Sequence, residues 1–299
     1  MSSRQCVRIA ILLSLGSVAL LLGCSRSHSS VEAIEYRPVS FATGTSVEVS
    51  VLAVNGSVSI HGEGGRTATD VTAILRASGR SRSQAQERVE GLPVRMIQQG
   101  ERVELAFELA EEAKRWDEPP SVLFEVRLPA QAVISVTSSN GAVRVAGIEG
   151  RIVIDMERGT VEVERSEGEI DLTVANGEIR VSDAAGVLRA RGERSDILVE
   201  ASDVSADLET IIGDVGFSGR FVGPDHRIHA SNGVITLNIP TDSELQLEAT
   251  VSTGRIESGL PFVGDTEGME WSAVLNAASS LLSLRSTNGW IRIDALDNI

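Results

Sequence analysis

Apolar residues recur along much of this chain at a fixed spacing. From Gly141 onwards a glycine returns every nine residues, at positions 141, 150, 159, 168, 177 and 186, and again at 213. Apolar side chains follow two and four residues after each of them, as in Val143 and Val145. Residues two apart lie on one face of a strand, and glycine allows backbone conformations that other residues avoid. The pattern therefore predicts a strand and a turn in every nine-residue unit, which indicates a repeat architecture.

Two arrangements fit such a unit: an antiparallel meander, in which units nine apart are neighbours, or a flattened solenoid with two short strands in each 18-residue coil. The outward charges favour the solenoid, because two columns at a spacing of 18 alternate in sign: Arg144, Glu162, Arg180 and Asp171, Arg189, Asp207. A spacing of nine would instead oppose like charges, which is destabilising. We predict a β-solenoid, and the chirality of parallel crossovers makes a right-handed winding the expectation.

The remainder of the chain also has mostly strand patterns. Residues 94–97 and 103–109 flank Gln99-Gly100 as a hairpin, and residues 81–92 form the one helical candidate, with Ser81 as a cap. The fold class predicted is all-β with one short helix in the N-terminal part. Its predicted divisions are a flexible tether at 24–40 and a solenoid at 41–299, irregular over 41–135 and regular over 136–299.

The first residues are typical of a secretory signal, with Arg4 and Arg8 before an apolar run. Residues 21–24, Leu-Leu-Gly-Cys, resemble the lipobox of bacterial lipoproteins. That resemblance implies a signal peptide at 1–23, cleavage before Cys24, and lipid on Cys24, through which the protein would be held in a membrane. Ser25 resembles the outer-membrane sorting pattern. An ordinary signal peptide with a chance cysteine is the alternative.

Composition excludes several classes of function. The net charge of −15 argues against nucleic acid, which needs a basic face, and against electrostatic docking on anionic lipid. Aromatic residues make up 3% of the chain, so stacking platforms for sugars are scarce. Of the two cysteines, Cys6 leaves with the signal peptide and Cys24 would carry lipid, so no thiol remains for catalysis. We expect no cofactor.

Two groups of residues are weak candidates for a metal site. Glu178, Asp196 and Asp214 would form a column of acids, whose carboxylates could hold a cation, although such a row is more often a solvated face. His226 and His229 are three apart, so on a strand they would face opposite ways. We predict that they lie on a surface loop and bind no metal.

Catalytic chemistry has only generic candidates. Ser138 and Ser139 are ordinary turn serines unless a histidine and an acid lie near them. Two pairs of acids could suggest glycoside hydrolysis, but alternate acids on a strand usually face solvent: Asp155 with Glu157, and Asp207 with Glu209. The tryptophans are too scattered to define a sugar groove: Trp116, Trp271 and Trp290. We assign no catalytic residue.

Several segments, in this order, resemble a known bacterial family, the β-strand-repeat domains of unknown function described as candidate adhesins. They are residues 137–143, 230–240, 245–249, 253–258 and 286–291. The resemblance covers roughly residues 46–294 and implies a β-solenoid in a secreted or anchored protein. It carries over no catalytic residues.

The function expected is that of a non-catalytic, lipid-anchored cell-envelope protein, an adhesin or interaction scaffold. Its outward face would bind a glycan, a protein or another copy of itself, and its anchor would most simply lie in the outer membrane, facing either side. One alternative is a periplasmic scaffold or sensor. The other is a solenoid enzyme that acts on carbohydrate, which would need acids and bases clustered in a groove.

Overall fold

The computed structural model describes residues 30–296. Cys24 and the predicted signal peptide lie outside this range. The described residues contain one α-helix, α1 (Arg82–Glu90), and one 3-10 turn, Ala113–Arg115, and their other regular structure is β. The prediction of an all-β chain with one short helix is confirmed. No helix in this range is long and apolar enough to cross a membrane.

The strands of the first half are β1 (Val31–Ala42), β2 (Ser46–Ala53), β3 (Gly56–Glu63), β4 (Ala68–Gly79), β5 (Val94–Gln99), β6 (Arg102–Phe107), β7 (Ser121–Pro129) and β8 (Gln131–Ala146). Those of the second half are β9 (Glu149–Glu164), β10 (Glu167–Ser182), β11 (Ala185–Ile212), β12 (Val215–Phe221), β13 (Asp225–Asn232), β14 (Ile235–Ile239), β15 (Leu245–Ser258), β16 (Val263–Asp265), β17 (Glu270–Leu275) and β18 (Ser280–Ala295).

Strands β8 to β11 pair in parallel with a register of 18 residues. Gly141 pairs with Gly159, and Gly159 with Gly177. Arg144 pairs with Glu162 in the same ladder. The prediction that residues 18 apart are neighbours is confirmed here, and the antiparallel meander is wrong. Alternating charges are favourable in this register because neighbouring strands lie only about 4.8 Å apart, so that opposite charges face each other.

Each 18-residue unit, which we call a coil, differs in one respect from the predicted pair of short strands. β8, β9 and β10 are each 16 residues long and bend at a glycine without interruption, as at Gly141. The chain leaves the ladder only between coils, where Gly147, Arg165 and Asp183 have positive φ angles of 71°, 45° and 51°. The glycine at the bend is therefore part of the ladder, and the turn lies elsewhere.

The order of the coils in the stack departs from their order in the chain at both ends. β2 and β3 form the first coil of the chain. In the stack this coil lies between β6 and β7 on one side and β8 on the other. β18 lies between β13–β14 and β15 in the same way. The chain thus turns back on itself at each end of the stack.

Antiparallel strands close the N-terminal end. β5 pairs with β6, β4 with β7, and β1 with β4 over its whole length. The predicted hairpin at 94–109 is confirmed as β5 and β6, and the predicted helix as α1, whose cap Ser81 accepts the N–H of Gln84. At the other end β17 pairs with β15, and β16 with β17.

The predicted tether at 24–40 is wrong from residue 31 onwards, since these residues belong to β1. Ala33 on this strand is buried, and Val39 and Phe41 pack against the core. Arg37 donates to the carbonyl oxygens of Leu92 (3.0 Å) and Glu90 (2.9 Å), which satisfies carbonyls at and beyond the end of α1. Alternate residues of this polar segment therefore have partners that only the tertiary fold supplies.

The core is a narrow aliphatic column between the two halves of each coil. Its members are stacked residues of successive coils that are almost fully buried, such as Ile134, Ile152 and Ile170 in one row and Val143, Val161 and Ile179 in the other. Burying each such side chain contributes about 1.5–3 kcal/mol relative to exposure. A coil can bury this surface only against its neighbours, so the stack is stable as a unit.

Candidate functional site

The outward side chains of β9, β10 and β11 form a charge ladder. Glu169 and Asp171 project from β10, between Arg151 on β9 and Arg189 on β11. Arg189 Nη1 lies 2.7 Å from Glu169 Oε1 and 3.2 Å from Asp171 Oδ1. On the other side Arg151 lies 3.7 Å from Glu169 and 3.6 Å from Asp171. We call these four residues the charge ladder.

Two groups of the charge ladder, Glu169 and Arg189, have shifted pKa values although they remain in contact with water. The hydrogen bond from Arg189, helped by the charge of Arg151, lowers the pKa of Glu169. Hydrogen bonds to Glu169 and Asp171 in turn raise the pKa of Arg189. Exposed ion pairs contribute little stability. Their effect is to fix donors and acceptors in a regular array on the outside of the stack, where a polar partner can meet them.

The other half of each coil presents a second outward face. Arg144 is bonded to Glu162, and Arg180 Nε lies 2.7 Å from Glu178. In the next coil the position beside Arg180 is taken by Leu198, which is exposed by 42%. The two faces therefore differ in chemistry, and the charge ladder is the more regular of them.

The three acids named as weak metal candidates form hydrogen bonds with other groups of the chain. Asp196 Oδ1 accepts the backbone N–H of Asp214 at 2.9 Å, and Asp214 Oδ1 accepts that of Val234 at 2.8 Å. Glu178 turns to Arg180. Within residues 30–296, no group of three or more His, Cys, Asp or Glu residues has a geometry suited to a metal ion. Asp196 and Asp214 thus tie one coil to the next.

The two histidines lie on strand β13, so the prediction of a surface loop is wrong. His226 is buried, with its ring stacked 4.7 Å from that of Phe221. This burial lowers its pKa. His229 points to the other side, where its Nδ1 lies 3.7 Å from a carboxylate oxygen of Glu209. The expected opposite orientation is confirmed, and the structure does not bring the two rings together.

The candidate catalytic residues are likewise dispersed. Ser138 and Ser139 lie within β8, not in a turn, because the bend at Gly141 does not interrupt the strand. Ser138 is buried beside Met156 in the adjacent coil, and its hydroxyl has no hydrogen-bond partner. The two pairs of acids lie on different strands. Asp155 and Glu157 flank Met156 on β9. On β11, Asp207 lies 3.8 Å from Arg191, and Glu209 faces His229.

The tryptophans occupy three separate elements. Trp116 follows the 3-10 turn and carries the guanidinium of Arg88 over its ring at 4.3 Å. Trp271 lies on β17, and Trp290 on β18. The ring of Trp290 is half exposed, with the guanidinium of Arg255 at 3.8 Å.

Folding also creates an open groove that the sequence did not indicate. It has a volume of about 820 Å³ and lies where the starts of several coils meet. Its lining includes Glu48, Glu101, Glu149 and Glu167 together with Arg102, which lies 3.5 Å from Glu48. Glu149 and Glu167 are neighbours at the 18-residue spacing, whereas Glu48 and Glu101 come from distant segments that no local motif could have placed beside them.

No family model matches the chain, and no curated protein matches it. Similar solved structures include a candidate cell adhesion protein from Clostridium sporogenes, at 11% identity and a TM-score of 0.26, covering 89% of this chain and 100% of that one. Candidate adhesins from Bacteroides fragilis (12%, TM-score 0.33, 87% and 97% covered) and Parabacteroides merdae (11%, TM-score 0.35, 88% and 95% covered) are also similar. Likeness at this level assigns neither fold nor function.

Proposed function

We propose that this chain is a non-catalytic interaction protein of the bacterial cell envelope, held by lipid on Cys24 and acting as an adhesin or scaffold through its outward strand faces. The observation that carries the proposal is the charge ladder, in which Glu169 and Asp171 lie between Arg151 and Arg189. These side chains repeat at the strand spacing of about 4.8 Å on a continuous parallel sheet.

A surface of this kind favours binding of an extended polar partner, such as a glycan or the surface of another protein. Its side chains are already ordered by their mutual ion pairs, so less conformational entropy is lost when a partner docks. The backbone beneath them is hydrogen-bonded to a coil on each side. Such a face offers several charged contacts of moderate strength, which suits adhesion more than chemistry at one reacting atom.

We further propose that the coils wind as a right-handed β-solenoid. The parallel register of 18 residues between β8 and β11 supports a continuous winding. Right-handed crossovers are by far the commoner hand for parallel strands.

The lipid anchor would place the stack in a defined direction relative to the membrane. β1 begins at Val31, seven residues after Cys24. At about 3.3–3.6 Å per extended residue, those residues span at most about 25 Å. The end of the stack closed by β1, β4 and β5 would therefore lie near the bilayer, and the β15 end would project away from it.

The anchor is tested by metabolic labelling with a radioactive fatty acid. Cys24→Ser should abolish label on the protein and release it from the membrane fraction. Cys6→Ser is the matched control and should keep both label and membrane association. Unlabelled wild type, or a labelled Cys24→Ser variant, would remove the anchor from the proposal.

The adhesin and the periplasmic scaffold are separated by protease treatment of intact cells, with a tag placed after Ile299 and a periplasmic protein as the integrity control. Loss of the tag while the control survives supports the adhesin. Survival of the tag until the outer membrane is permeabilised contradicts it and leaves the periplasmic scaffold. In the first case, glycan arrays probed with wild type and with an Arg151→Ala, Arg189→Ala double variant test the charge ladder directly.

A further inference from the structure

The last coil of the stack has one strand edge without a neighbour. β15 pairs along its length with β18 on one side. On the other side β17 covers only Leu245–Thr250. Among the described residues, none forms a strand ladder with the far edge of residues 253–258. This second half of β15 is therefore an open edge, in contrast to the N-terminal coil, where β5 and β4 cover β6 and β7 respectively.

The preceding coils show which backbone groups this open edge presents. The N–H groups of Gly213 and Gly233 donate to backbone carbonyl oxygens of the next coil in the stack. The acceptors are Asn232 and Asn288 respectively, both at 3.1 Å. Val215 likewise donates to Val234 at 2.9 Å. In the ladder, Gly254 occupies the glycine position of this column, beside Gly289.

Val215 pairs with Ile235, Ile235 with Ile291, and Ile291 with Ile256. Ile256 therefore occupies in the last coil the position that Val215 has in its own. Gly259 is an odd number of residues from Ile256, and its N–H donates back to the carbonyl oxygen of Ile293 on β18 at 2.8 Å. Backbone groups of successive strand residues point to opposite sides. The N–H and C=O groups of Gly254, Ile256 and Ser258 therefore point outwards.

This edge is ordered, which makes it a template for another strand. The side chain of Ile256 is 93% buried, and Leu260 directly after the strand belongs to the core. Natural sheets protect exposed edges with proline, charged side chains or bulges. Residues 253–258 contain no proline, and their charged residues, Arg255 and Glu257, are of opposite sign. Only an extended polypeptide backbone offers donors and acceptors at the spacing that such an edge requires.

We infer that the occupant is a second copy of this chain, paired antiparallel through the same edge about a two-fold axis at Ile256. Arg255 and Glu257 are symmetric about Ile256 and share the outward face. Within one chain Arg255 Nε lies 2.7 Å from a carboxylate oxygen of Glu257. In this arrangement Arg255 also lies opposite Glu257 of the second copy, and Glu257 opposite its Arg255, so opposite charges meet both within and between the two strands. A register shifted by two residues would lose this match. The edge is thus complementary to itself.

The pairing is modest in size and therefore reversible. A strand edge of about five residues buries less surface than the roughly 1,200–2,000 Å² of a standard stable interface. Exposed apolar side chains on strands at the same end of the stack add to it: Val263 (76% exposed) and Trp290 (49%). We expect a dimer that dissociates on dilution. This dimer is independent of the proposed adhesion and of the anchor.

Sedimentation equilibrium of the full chain in density-matched detergent, over about a hundredfold range of concentration, measures the dimer by mass action. Arg255→Glu and Glu257→Arg should each weaken dimerisation at least about tenfold, and the double exchange should restore it. The matched control is Arg180→Glu on β10, in the middle of the stack, which breaks an exposed pair with Glu178 of the same spacing and should leave dimerisation unchanged.

A monomer at every concentration would overturn the inference. So would a dimer that both single variants leave intact, or one that the control weakens equally. Circular dichroism of each variant shows whether the fold is kept, and recovery in the double exchange separates edge pairing from general damage.

Discussion

Gly159 lies so close to Gly141 in the preceding coil that a β-carbon on Gly159 would be 1.8 Å from the carbonyl oxygen of Gly141. The same relationship repeats one coil further on, between Gly177 and Gly159. Gly159 also has a φ angle of +135°, which side-chain-bearing residues rarely adopt. The glycine period in the sequence is therefore explained by two demands at one position, the backbone conformation and the approach of the next coil.

Gly159→Ala should destabilise the protein by at least about 2–3 kcal/mol, because the backbone must move and the φ angle is strained. Gly64→Ala is the matched control: a β-carbon there meets nothing within 4 Å. The control should leave stability unchanged within about 0.5 kcal/mol. Urea unfolding monitored by circular dichroism measures both. Equal midpoints for wild type and Gly159→Ala would mean that the ladder tolerates a wider bend than its geometry indicates.

The repeated middle of the fold could be predicted because its information is local and periodic. Glycine every nine residues and the alternating charges of Arg144, Glu162 and Arg180 specify a neighbour 18 residues away. At the ends only local elements could be predicted, such as the hairpin of β5 and β6, because the other neighbours there come from distant segments. Nothing in the pattern of 31–42 reveals that Arg37 will meet carbonyls near the end of α1.

The candidate sites also combine features that the repeat reveals with contacts that only the tertiary fold supplies. The charge ladder was visible in part, since Asp171 and Arg189 are 18 apart. For Asp196 and Asp214 the sequence shows the carboxylates but not the backbone N–H groups to which they bond. Pro224 and Asp225 before His226 indicate a loop, whereas the ring of His226 is buried on β13 against Phe221.

Asp214→Ala should weaken the junction between two coils, because the N–H of Val234 loses its acceptor. The expected loss is about 1 kcal/mol in the free energy of unfolding. Asp214→Asn keeps an oxygen at the same position and should retain most of the stability. Hydrogen exchange at the Val234 amide is the local measurement, and it should quicken in the alanine variant alone. Equally fast exchange in the alanine and asparagine variants would show that the charge of Asp214, not its acceptor oxygen, matters there.

Arg189→Ala should raise the pKa of Glu169 towards its ordinary value, since the hydrogen bond from Arg189 is the main cause of its lowering. A carboxylate with a lowered pKa stabilises the folded state above its unfolded pKa, and that contribution is lost as the pH falls through the folded pKa. The variant should therefore lose less stability on acidification than wild type. NMR titration of the Glu169 carboxyl tests this, with Arg165→Ala as a control remote from the pair. An unchanged titration would mean that Arg151 alone suffices.

His226 should make the fold sensitive to mild acid. Burial lowers its pKa below the ordinary value of 6.5, so between the two values the unfolded chain binds a proton that the folded chain does not. Stability is fully present above about pH 6.5 and falls as the pH drops towards the folded pKa.

His226→Phe keeps an aromatic ring against Phe221 and removes the titrating group, so its urea midpoint should fall less than that of wild type between about pH 8 and pH 5. His61→Phe, at an exposed position of β3, is the control and should keep the wild-type loss. If His226→Phe loses as much stability as wild type over this range, the acid sensitivity of the fold comes from carboxylates, and the buried ring takes no part in it.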